Sequence, residues 1–136
     1  MAQIDIREGG AIPEKQVKEF FDVLGWAQFE GLLPELLLNS TFVVSAWDGA
    51  RLVGLARVVS DRVYSSMLHQ VGVHPEYQRH GLGSELVQRC VARFAHTHFV
   101  LTTGDSSHET FYARFGFQRA ANAMFRPRDP ATEAGE

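Results

Sequence analysis

Gln78-Arg79-His80-Gly81-Leu82-Gly83-Ser84 is the stretch around which this chain is read. A strand-like segment, Leu68 to Val73, runs into it. After it Leu82, Leu86, Val87, Cys90, Val91 and Phe94 recur at helical spacing. Strand, glycine turn and helix start, in that order, make a seat for a phosphate. A helix start carries unpaired backbone N–H groups and the positive end of the helix dipole. Gly81 and Gly83 lack a Cβ, so the turn can take unusual dihedrals and a ligand can approach the main chain. Arg79 and His80 add positive charge at the same spot. Taken alone, the glycines suit a plain strand-to-helix turn equally well.

Outward from that turn, the chain divides into short elements. Gln3 to Arg7 alternates as a first strand. A helix starts at Pro13, with Val17, Phe20, Phe21 and Leu24 on one face and Gly25 as its stop. Leu32 to Leu38 reads as a second helix restarted at Pro34. Thr41 to Trp47, Arg51 to Ser60 and Ser65 to Val73 form three consecutive strands, joined at Asp48-Gly49 and near Asp61, and predict an antiparallel meander. The long helix spans about Gly83 to His96. Phe99 to Thr103 follows as a strand, parallel to the one ending at Val73 because a helix crosses between them. A helix from His108 to Arg114, closed by Gly116, and a strand from Ala123 to Arg126 complete the order βααβββαβαβ. The prediction is one α+β domain over residues 1–128, with a loose polar tail over 129–136.

Composition narrows the function classes. The 136 residues suffice for one core, and 45% hydrophobic with 21% charged is ordinary for a globular protein. A net charge of −3 argues against nucleic acid or an anionic membrane as partner, and no apolar run approaches the roughly 20 residues of a membrane span. Met1 to Gly10 carries Asp5, Arg7 and Glu8 where a signal peptide needs apolar residues. The single cysteine, Cys90, excludes an internal disulfide and fits a reducing cytoplasm; on the apolar stripe of its helix it reads as a core residue. His74, His80, His96, His98 and His108 lack metal-ligand spacing, so no metal is expected. A dinucleotide-binding unit is also excluded, because G-x-G-x-x-G needs a glycine where Leu86 stands.

Two motifs carry a resemblance. Val71-Gly72-Val73-His74-Pro75-Glu76-Tyr77-Gln78-Arg79-His80-Gly81-Leu82-Gly83 resembles the acetyl-CoA signature of the GNAT superfamily of N-acyltransferases, and Phe111-Tyr112-Ala113-Arg114-Phe115-Gly116-Phe117 is similar to its second signature, FYxxxGF. The order of elements matches that family from residue 3 to about 126. The resemblance implies a mixed, mostly antiparallel sheet with a splayed pair of parallel central strands, and acetyl-CoA as co-substrate with no metal. Backbone N–H groups from Gln78 to Ser84 would hold the pyrophosphate. Main-chain groups of Val71 and Val73 would pair with the pantetheine arm as an added strand, and a bulge eased by Gly72 would part the neighbouring strand. A backbone N–H there would stabilise the oxyanion formed when an amine attacks. Tyr112 matches the family tyrosine that protonates the departing sulfur.

The base and the acceptor are less determined by the motifs. His69 matches a histidine of aralkylamine-type members and titrates near neutral pH. His69 reads equally as a satisfied partner within the sheet. Many members place a glutamate where Met67 stands, so ordered water, with Gln70 holding it, is the other route for the proton. Met67 also keeps open a non-catalytic acyl-CoA-binding or regulatory module of the same fold. From the residues alone Trp26 and Phe29, between the first two helices, read as core plugs or part of a binding wall. In this family the first two helices and the loop before Ser65 border the acceptor site, which implicates Trp26, Phe29, Glu30 and Tyr64. Aromatics beside an acid suit an amine with an apolar body. A homodimer is common in the family, although no exposed stripe marks an interface.

Overall fold

The protein is described by a computed structural model over residues 3–9, 11–103 and 105–129. Its centre is a five-stranded sheet in the order β1-β2-β3-β4-β5. These strands are β1 (Asp5–Glu8), β2 (Phe42–Asp48), β3 (Arg51–Ser60), β4 (Ser65–Val73) and β5 (His98–Val100). The first four pair antiparallel and β5 lies parallel to β4. The α+β class, the meander and the parallel pair therefore follow the sequence reading.

Helices cover both faces, which explains why β2 and β3 read as nearly unbroken apolar runs. Helix α3 (Leu82–Arg93) buries Leu86, Val87 and Cys90 against Val44, Ala56 and Val58. Helix α1 (Glu14–Leu24) buries Val17, Phe20 and Phe21 on the other face, against Val43, Trp47, Leu52 and Leu55. Each such apolar side chain removed from water contributes about 1.5–3 kcal/mol. Pro13 precedes α1 without needing a donor, and Gly25 ends it in the left-handed conformation at φ 76°, donating to the Asp22 carbonyl. The β2–β3 hairpin closes on the pair Asp48↔Arg51, with Gly49 at φ 59°. The Asp61 carboxylate accepts from the N–H groups of Val63, Tyr64 and Ser65, which fixes the turn into β4.

Several boundaries differ from the sequence reading, β5 among them, which ends at Val100 rather than Thr103. A 3-10 turn spans Ala27–Leu32, and α2 is a single turn, Glu35–Leu38. The helix cannot begin at Leu32 because Leu33 precedes a proline and is held extended, at ψ 148°. Helix α3 ends at Arg93 rather than His96, where Phe94 leaves helical dihedrals and the Thr97 hydroxyl donates to its carbonyl. The strand predicted from Ala123 to Arg126 is not formed. Met124 is 98% and Phe125 74% exposed, and Pro127 deprives so short a segment of a ladder donor. Strand β5 is consequently the edge of the described sheet. A 3-10 turn at Ser106–His108 leads into α4 (Glu109–Ala113). Of the predicted tail, residues 130–136 lie outside the described residues.

Candidate active site

Strands β4 and β5 touch only where Ser65, Ser66 and Met67 meet His98, Phe99 and Val100. Beyond Met67 the two part, and the edge of β4 from Leu68 to Val73 has no strand beside it among the described residues. On the opposite edge β4 stays on β3, but not in step. Leu55 pairs with Gly72 and Arg57 with His69, so β4 carries one residue more than β3 between those pairs. That is a β-bulge. Its left-handed residue is Gln70, at φ 45°. Such a backbone costs a non-glycine residue roughly 1–2 kcal/mol, and the Arg57 Nε–H donated to the Gln70 Oε1 at 2.6 Å helps hold it.

Gly72 has a different task from the one the sequence suggested. A Cβ built there would lie 2.6 Å from Leu24 Cδ1 and 2.7 Å from Trp26 Cη2. The glycine is required because Trp26 rests on the backbone, not because the bulge needs its dihedrals. Trp26 in turn stands edge-on to Phe20, Phe21 and Phe29.

After β4 the His74 N–H donates to the Val53 carbonyl at 2.8 Å, toward β3. Strand alternation then turns the main-chain groups of Val73 and Val71 toward the gap. The Gln78 side chain reaches back to donate to the Val73 carbonyl at 2.9 Å, tying the strand end to the turn. Arg79 (φ 69°) and Gly81 (φ 79°) are both left-handed, and Gly81 is the residue before α3. No side chain caps this 12-residue helix. The N–H groups of Leu82, Gly83 and Ser84 therefore point out of its first turn with the positive end of the dipole behind them. Exposed Arg79 and His80 flank them. Left-handed residues alternating with others make a concave row of amides suited to an anion. At Gly83 a Cβ would sit 3.6 Å from Phe111 Cζ, so α4 packs directly beside the helix tip.

Tyr112, the neighbour of Phe111, is half-buried against β5, with ring contacts to Phe111 and Phe117. It lines a cavity of about 710 Å³ together with Phe99, Leu101, Phe117 and Ala123. Burial pushes its phenol pKa upward, so the hydroxyl stays protonated at neutral pH. His69 lies opposite Arg57; burial and then the nearby guanidinium lower its pKa, favouring the neutral ring.

Of the four residues predicted at the acceptor side, Trp26 and Phe29 meet edge-on with Glu30 next in the chain, and Tyr64 stands apart from them against His98. Trp26 lies over Gly72, and Phe29 packs on Trp26 and Phe21. The Glu30 carboxyl lies beside Asp22 of α1, which with burial raises its pKa, and its Oε2 is buried without a hydrogen-bond partner among the described residues. Tyr64 stands at the start of β4 against His98, with ring centroids 4.8 Å apart. Gln70 lies six residue steps further along, a span of about 20 Å. Arg57 was missed. The signal was one charged residue in the otherwise apolar run Leu52 to Val59.

Comparison with known proteins agrees with this geometry. The family model for the acetyltransferase (GNAT) domain matches residues 10–127. The chain is 34% identical over 139 residues to GCN5-related N-acetyltransferase 2, chloroplastic, of Arabidopsis thaliana, covering 85% of this chain and 54% of that protein. It is 27% identical over 130 residues to histone acetyltransferase TAP1 of Glycine max, covering 85% and 56%. The chain thus spans about half the length of these curated relatives. Among solved structures, a GNAT family acetyltransferase from Streptococcus pneumoniae TIGR4 superposes with a TM-score of 0.79 at 26% identity, over 93% of this chain and all of that one. The chain belongs to the GNAT acetyltransferase family.

Proposed function

We propose that the protein transfers the acetyl group of acetyl-CoA directly to a primary amine, both substrates being bound together. The observation that carries this reading is the uncapped tip of α3, with left-handed Arg79 and Gly81, placed where β4 and β5 part. The residues fit the co-substrate. Amides of a helix start, with the Arg79 guanidinium and the His80 ring beside them, suit a diphosphate, and the unpaired edge of β4 suits an amide-bearing arm laid along it. The thioester supplies an electrophilic carbonyl and a thiolate leaving group. The amine nitrogen forms the new C–N bond as the C–S bond breaks. The Tyr112 hydroxyl gives its proton to the departing sulfur, and the proton of the amine leaves through His69 or water. Keeping Tyr112 protonated and His69 neutral is what such roles need at neutral pH.

The test follows thiol release from acetyl-CoA across an amine panel. Tyr112→Phe is expected to lower kcat about 100-fold or more while leaving acetyl-CoA affinity within a few-fold. Gly81→Val is expected to weaken acetyl-CoA binding instead. Tight acetyl-CoA binding with no thiol release above background would refute catalysis in favour of a binding module, and full activity in Tyr112→Phe would remove that residue from the acid role.

A further inference from the structure

Arg57 is a charged side chain in the middle of a covered strand, only 8% exposed. Its Nε donates to Gln70 Oε1 at 2.6 Å and its Nη1 to Ser40 Oγ at 3.2 Å. Both partners are neutral, and they use two of the five N–H donors of a guanidinium. Among the described residues no carboxylate pairs with it, and Nη2, without a protein partner, is the part of the guanidinium left open to solvent. A guanidinium stays charged in proteins and is rarely buried without a counter-charge, because nothing then repays its lost hydration. A chain that keeps such a group buried at its candidate active site has arranged for the anion to come from outside.

The position narrows which anion. Arg57 grips the bulge residue Gln70 and sits directly across the strand pair from His69. Side chains paired in this way start about 4.5–5.5 Å apart at Cβ. That separation matches a molecule whose amino and carboxyl groups are one or two carbons apart. The planar fork of a guanidinium also matches a carboxylate in shape. The diphosphate seat at the tip of α3 is a separate place, so the carrier's phosphates do not satisfy Arg57.

We propose that Arg57 binds a carboxylate of the acceptor, which makes the substrate class amines that carry a carboxylate close to the nitrogen. This rests on the acetyl-transfer reading above and adds a specificity-determining residue to it.

Two measurements separate the proposals. The first compares kcat/KM for free amino acids with that for the matching amino-acid amides, at fixed acetyl-CoA. The second compares, by calorimetry and without turnover, the binding of N-acetylated amino acids and of their amides. The parent protein is expected to favour the carboxylate in both by about tenfold or more, the worth of a charge-assisted pair. Arg57→Met should abolish the preference and Arg57→Lys retain part of it; because Arg57 also holds the bulge at Gln70, the acid-to-amide ratio rather than absolute rate or acetyl-CoA affinity is the readout. Because the residue is buried, the parent's own preference decides the matter even if Arg57→Met fails to fold. Equal use of acid and amide by the parent overturns the assignment while leaving acetyl transfer standing. Selective binding of the N-acetylated acid without any turnover supports Arg57 and refutes the transfer reading. A preference that follows a carboxylate on the acyl thioester, succinyl over acetyl, overturns the assignment to the acceptor.

Discussion

Gly72→Ala probes the contact that builds the wall of the site. The new methyl would arrive 2.6 Å from Leu24 Cδ1 and 2.7 Å from Trp26 Cη2, about 1 Å inside the comfortable carbon–carbon distance. Leu24 can swing its end away. Trp26 cannot, because its indole is held edge-on by Phe20, Phe21 and Phe29 at centroid distances of 6.4, 5.6 and 6.3 Å. Overpacking of this kind costs about 1–3 kcal/mol, offset by roughly 0.4–1 kcal/mol from stiffening the unfolded chain. The net destabilisation is about 1–2 kcal/mol, which in a domain of 136 residues lowers Tm by about 3–10 °C. Urea unfolding of Gly72→Ala, Trp26→Leu and the double variant gives the cycle. If the indole is the obstacle, the cost of the methyl falls by about 1 kcal/mol in the Trp26→Leu background. A neutral Gly72→Ala, or an equal cost in both backgrounds, would refute the account of why glycine stands there.

Two further predictions concern ionisation. The folded Asp61 carboxyl is lowered to about 2, chiefly by the N–H groups of Tyr64, Ser65 and Val63, against an ordinary value of 3.8. Its stabilisation is therefore present above about pH 4 and lost as pH falls toward 2; the stability gap between parent and Asp61→Asn should shrink over that range, and a constant gap would contradict it. Burial, with Glu8 adding to it, pushes the Cys90 thiol from 9.0 up to about 12. The folded protein should resist a disulfide reagent at pH 8 and react only in denaturant, and the thiol's contribution to stability should fall as pH rises from 9 toward 12. Rapid stoichiometric labelling of the native protein would contradict this.

Much of the architecture was written locally and so could be read locally. Pro13 and Gly25 bracket α1, the Asp48-Gly49 turn marks a hairpin, and the glycines after β4 mark the turn into α3. What could not be read depended on partners far along the chain. The need for glycine at position 72 comes from Trp26, which nothing near Gly72 announces. The bulge was foreseen on β4, but its left-handed residue is Gln70, held by a hydrogen bond from the neighbouring strand. Nothing in the sequence around Glu30 announces that the 3-10 turn sets it beside Asp22 of α1. The strand expected from Ala123 has a short apolar run, Ala123 to Phe125, but such a run alone supplies no ladder partner.

The brevity of the β4–β5 contact gives the molecule an uneven resilience. Three residue pairs hold β5, whereas β2, β3 and β4 are laced together along most of their lengths. Spontaneous opening is easiest where the fewest bonds must break. Deuterium should therefore enter β5 well before it reaches β3, so the seam can breathe while the central strands keep the bulge and its arginine in place.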